Sequence, residues 1–66
     1  MPTMTVEFNE RMDYILYGLA LDKGTTKVDI LRRAVALYKY LSDRVAEGWR
    51  VCIRRNGKIV KYVELP

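Results

Sequence analysis

The stretch Thr3-Met4-Thr5-Val6-Glu7-Phe8 constrains this chain more than any other. It alternates polar and apolar side chains, with Met4, Val6 and Phe8 on one face and Thr3, Thr5 and Glu7 on the other, the pattern of a half-buried strand. Asn9 and Glu10 follow at once as a helix start, since an Asn side chain caps exposed N–H groups and an acidic residue suits the positive end of the helix dipole. The strand therefore has no neighbouring strand in the sequence to pair with, yet its backbone N–H and C=O groups need partners. A second copy supplies them. Two such strands paired antiparallel about a twofold axis would form a ribbon and bury Met4, Val6 and Phe8 as a shared core.

Size points the same way. A chain of 66 residues is one small domain, and such domains are marginal without a disulfide, a structural metal or a partner subunit. The only cysteine is Cys52 and there is no histidine, so neither an internal disulfide nor a thiolate zinc site is expected. Oligomerisation is the remaining route. No apolar run approaches a membrane span and no signal peptide is visible; with a lone cysteine, the expectation is a cytoplasmic protein that meets no membrane.

Beyond the strand, residues Glu10 to about Lys23 read as a helix with the apolar stripe Met12, Ile15, Leu16, Leu19 and Ala20. Gly24 suits a left-handed C-terminal cap. Thr26 is the expected cap of a second helix, with Asp29 three residues on completing an approximate capping box. That helix should run to about Ala46 or Glu47 and stop at Gly48. Its stripe of Val28, Leu31, Ala34 or Val35, Tyr38, Leu41 and Val45 is widened by Ile30, Leu37 and Tyr40. A face so broad exceeds what one short helix and one strand can cover, which again asks for a second chain and places Leu31, Val35 and Tyr38 in a dimer core. Trp49 to Leu65 reads as a hairpin about Asn56-Gly57, the pair most suited to a type I′ turn. A two-residue loop there sets Val51 opposite Tyr62 and Ile53 opposite Val60, leaving Arg50, Arg54 and Lys61 on the other face.

The order strand, helix, helix resembles the ribbon-helix-helix proteins, the Arc and methionine repressor family. The resemblance covers Thr3 to about Ala46. It is carried by the short strand, by Asn9-Glu10, and by Gly24-Thr25-Thr26-Lys27-Val28-Asp29-Ile30-Leu31-Arg32-Arg33-Ala34, which is similar to the family's junction between helices. The resemblance implies an α+β fold. Residues 1–48 would be a ribbon-helix-helix module for dimerisation and DNA binding, and residues 49–66 a C-terminal β-hairpin extension outside the shared module. It implies a ribbon inserted into the major groove of double-stranded DNA, with Thr3, Thr5 and Glu7 facing the bases. Thr25, Thr26 and Lys27, at the start of the second helix, would hold a phosphate. Glu7 departs from the pattern: a carboxylate is repelled by phosphates, although it can accept a hydrogen bond from cytosine N4.

Charge refines this expectation. The chain carries +4, and a basic balance favours polyanions. Residues 48–66 hold five basic residues against one acidic, an excess equal to that of the whole chain. Arg50, Arg54 and Lys58, with Arg55 and Lys61 beside them, are candidate contacts to the DNA backbone, although cations on hairpin strands also prevent edge-to-edge aggregation. Two functions from different classes follow. One is a homodimeric, sequence-specific transcriptional regulator, a repressor first, able to place two dimers on adjacent half-sites. The other is a dimeric protein-interaction module, an antitoxin-like chain or adaptor, whose hairpin meets a protein partner. With no histidine, no ligand cluster, no phosphate loop and no activated nucleophile, neither an enzyme nor a cofactor or metal site is expected.

Overall fold

The computed structural model describes residues 2, 3 and 5–66, and the expected core residue Met4 lies outside them. The protein is a small α+β chain in the order α1 (Glu10–Lys23), α2 (Lys27–Ala46), β1 (Val51–Arg55) and β2 (Lys58–Val63). Its sheet is a two-stranded antiparallel hairpin, and it follows the helices. The N-terminal strand of the sequence reading is one that pairs with a second copy. Residues 5–9 form no strand within one chain, and no other strand among the described residues pairs with them.

Local chemistry sets the helix boundaries. The Asn9 side chain accepts a hydrogen bond from the Met12 N–H at 2.8 Å, and Glu10 and Asp13 sit in the first turn of α1. At the other end Gly24 adopts φ 64°, ψ 39°, a conformation that costs a side chain with a Cβ dearly. The Gly24 and Thr25 N–H groups then donate back to the carbonyls of Leu21 and Ala20, a Schellman closure. α2 begins where Thr26 Oγ1 accepts from the Asp29 N–H at 3.1 Å. It ends in the same manner as α1: Gly48 at φ 100° lets its own N–H reach Val45 and the Trp49 N–H reach Arg44.

The chain divides into two compact units, Met1–Arg33 and Ala34–Pro66, with the division inside α2. In the first, Leu16 and Ala20 of α1 pack with Ile30 of α2, and half-buried Leu31 joins them. These three are the only fully buried hydrophobic residues among those described. The rest of the α1 stripe, Met12, Ile15 and Leu19, stays exposed. In the second unit no residue is fully buried. Val35 is 69% exposed and Tyr38 48%, although the Tyr38 hydroxyl is tied to the Pro66 carbonyl at 2.6 Å.

The hairpin turns as expected and pairs differently. Asn56 and Gly57 both have positive φ, 52° and 78°, as a type I′ turn requires. Next to the turn Arg55 faces Lys58 and Arg54 faces Ile59. One step on, β2 carries an extra residue, Val60, and the register shifts between Ile53 and Arg54. Val51 is therefore opposite Val63 rather than Tyr62, and Ile53 is opposite Lys61 rather than Val60. The expected wholly apolar face does not form, because Lys61 shares a side with Ile53 while Cys52 meets Tyr62.

Candidate nucleic-acid interface

Three places hold the residues singled out in the sequence. The first is the N-terminal segment. Thr3, Thr5 and Glu7 are exposed, as are Val6 at 50% and Phe8 at 39%. Among the described residues, Thr5 to Phe8 make no backbone hydrogen bond to another part of the chain. Two apolar side chains and a run of unsatisfied backbone groups thus stand together immediately before α1. In water such groups are solvated; in contact with an identical strand they would pair in a ladder and bury Val6 and Phe8.

The second place is the junction of α1 and α2. It brings Thr25, Thr26 and Lys27 into one turn. With Thr26 Oγ1 engaged by the Asp29 N–H, the helix start still presents the N–H groups of Lys27 and Val28 to an outside acceptor. The side chains are more committed than the sequence suggested. Lys27 Nζ lies 2.8 Å from Asp13 Oδ1, an ion pair between the two helices. Thr25 donates its hydroxyl to Asp29 Oδ2 at 2.8 Å. Asp29 also receives the Arg33 Nε at 2.8 Å and Arg32 at 3.7 Å. The approximate capping box is therefore only half made. Thr26 caps the Asp29 N–H, while the Asp29 carboxylate is held by Thr25, Arg32 and Arg33. Arg32 and Arg33 are paired with an acidic neighbour, the arrangement expected for charges on a solvated helix face. A carboxylate so close to the start of α2 lowers the positive potential there, and its two arginines restore part of it.

The hairpin is the third place. Arg50 stacks its guanidinium 3.8 Å from the centre of the Tyr62 ring, a cation–π contact across the strands. Arg54 Nη2 donates to the Gly57 carbonyl at 2.7 Å, bracing the turn. Lys58 lies opposite Arg55. Beside β1, Tyr40, Leu41, Arg44, Trp49, Arg50 and Cys52 line an open hollow of about 590 Å³. Cys52 is half-buried and free.

Sequence reasoning did not anticipate Asp13 as the partner of Lys27, because the pair depends on how two helices meet. Arg55, one of the hairpin cations expected to flank a DNA site, lies directly against Lys58, as a two-residue loop at Asn56-Gly57 requires.

No helix among the described residues is long and apolar enough to cross a membrane. Comparison of the chain with protein-family models, with curated proteins and with solved structures finds no match in any of the three.

Proposed function

We propose that this protein is a homodimeric, sequence-specific DNA-binding transcriptional regulator of the ribbon-helix-helix type, a repressor first, acting in the cytoplasm. Two copies of the Thr3–Phe8 segment pair antiparallel, and the resulting ribbon enters the major groove of double-stranded DNA. The observation that carries this reading is the unpaired segment Thr5–Phe8, which sets exposed Val6 and Phe8 beside outward polar Thr5 and Glu7 at the mouth of α1. Val35 and Tyr38, exposed in one chain, belong to the same dimer core with Leu31.

On the ribbon, a threonine hydroxyl reads either a donor or an acceptor and its methyl meets that of thymine. At the α2 start, the N–H groups of Lys27 and Val28 hold a phosphate, with Thr25 and Thr26 fixing the turn. Lys27 contributes less charge than an unpaired lysine because Asp13 already neutralises it. Arg50, Arg54 and Lys58 of the hairpin add contacts to the DNA backbone, and adjacent half-sites accommodate further dimers.

The test begins by selecting bound duplexes from a random pool. A shared short palindromic pattern is the expected result. On the selected site Thr5→Ala should cost about 1–3 kcal/mol and relax the sequence preference. Lys27→Ala should weaken all sequences alike and by less than Thr5→Ala weakens the selected one. Unchanged binding of every sequence by Thr5→Ala would remove the ribbon from the groove.

A second reading is favoured by Glu7, which stands exposed on the base-facing side with no cation partner among the described residues. Here the N-terminal module only dimerises, and the hairpin, with exposed Trp49 and Tyr62, meets a protein. Absence of salt-dependent binding to random duplex DNA at low ionic strength would leave this reading standing.

A further inference from the structure

The cations of this chain divide by element, with one exception. Of the seven on the helices, Lys23, Lys27, Arg32, Arg33, Lys39 and Arg44 each lie within ion-pair distance of a carboxylate, and Arg11 of α1 does not among the described residues. The five cations of the hairpin do not, among the described residues. Arg50 rests on a neutral ring and Arg54 on a neutral carbonyl, so both keep their full charge. Arg55, Lys58 and Lys61 make no side-chain hydrogen bond or ion pair among the described residues. The first compact unit holds five basic residues against five acidic ones, whereas the second holds seven against three, so the net +4 belongs to the second.

The placement of two of these charges is unfavourable for the hairpin itself. Arg55 and Lys58 are direct cross-strand partners, the last pair before the turn. Like charges in that position destabilise a ladder, and a two-stranded hairpin has little stability to spare. Arg54, the next residue of β1, adds a third positive charge, held at the turn by its bond to Gly57. An anion set between Arg55 and Lys58 turns their repulsion into attraction. A phosphodiester suits this site: the guanidinium fork matches its two free oxygens, and the ammonium serves as a point charge beside it.

We propose that the Arg55–Lys58 pair at the hairpin tip is a phosphodiester clamp for duplex DNA that supplies most of the salt-dependent affinity, leaving sequence discrimination to the N-terminal segment. The clamp rests on the DNA-binding reading above and deepens it. A duplex fits better than an acidic peptide because unpaired cations continue along both strands, from Arg50 to Lys61, as a regular polyanion requires.

The experiment measures binding to the selected duplex and to a random one by fluorescence anisotropy over a range of salt concentrations. It compares the parent protein with Arg55→Gln/Lys58→Gln. Each phosphate contact contributes about 0.9 to the slope of log affinity against log salt. Two clamps per dimer, each holding one phosphate, should therefore lower the slope by about two units. The preference for the selected duplex over the random one stays as in the parent. A control that removes the same charge from paired helix positions, Lys23→Gln/Lys39→Gln, should keep the parent slope. Loss of folding does not confuse the result, since the tip variant relieves a repulsion and its melting temperature should equal or exceed the parent's. If the parent binds with a steep slope and the tip variant matches it, the clamp is wrong and the DNA-binding reading stands. If the parent shows no salt-dependent duplex binding, that reading falls and the clamp with it. Binding to polyglutamate in that case would assign the tip to an acidic protein surface.

Discussion

Phe8→Asp should abolish both the dimer and the fold at micromolar concentration, seen as loss of the helical circular dichroism signal and of the dimer in sedimentation. Phe8 is 39% exposed in a single chain and shares the apolar side of the N-terminal segment with Val6. In the proposed paired ribbon it would be buried, and twofold symmetry would bury it twice. An unpaired carboxylate in such a place costs several kcal/mol, at two sites per dimer. The chain has little to set against that loss, because its own buried core among the described residues is Leu16, Ala20 and Ile30. Thr5→Asp is the matched comparison: on the outward face the same charge should leave the dimer folded. A folded, helical Phe8→Asp protein would show that this side chain is not part of a shared core.

Leu16→Ala should be the most destabilising of the substitutions inside one chain. Leu16 is 6% exposed and packs with Ala20, Ile30 and Leu31 where α1 meets α2. Truncating a buried leucine removes its transfer free energy and leaves a cavity, together about 3 kcal/mol, within the usual span of 2–5. Because the junction carries Thr25, Thr26 and Lys27, DNA affinity should fall as the protein loosens. Urea unfolding at a fixed chain concentration measures the change. Leu21→Ala, at a position 65% exposed, should shift the same curve by no more than about 0.5 kcal/mol. Equal effects at the two positions would mean that the contact of α1 with α2 is not where stability resides.

The two helices were legible because their ends are written in local chemistry. Asn9, Gly24, Thr26 and Gly48 each act on backbone groups within a few residues, so their roles follow from sequence spacing alone. The same holds for Asn56-Gly57, whose turn type depends only on two positive φ angles. The register beyond the turn was not legible, and the reason is Ile59-Val60. Two adjacent apolar residues interrupt the alternation of β2, and the strand accommodates them with a bulge at Val60 that shifts every later pair by one. The candidate phosphate site was legible in its residues but not in its electrostatics. Lys27 and Asp13 are fourteen residues apart and meet only because α1 and α2 pack. Asp29 drew Thr25, Arg32 and Arg33 rather than closing the box on Thr26, a competition between partners that no spacing rule decides.

The N-terminal segment shows the limit in its clearest form. Its alternation is that of a strand, yet within one chain residues 5–9 form none. Strand geometry needs a ladder, and the only strands among the described residues, β1 and β2, pair with each other. An alternating segment without a local partner is a statement about association, which a single chain does not satisfy.

Hydrogen exchange of the backbone amides from Thr5 to Phe8, read alongside sedimentation mass at micromolar concentration, addresses the dependence of the fold on a second copy. A mass of twice 7.7 kDa, with those amides exchanging slowly until dilution splits the particle, is the predicted outcome. A folded particle of 7.7 kDa whose Thr5–Phe8 amides exchange at the rate of an open chain would contradict it.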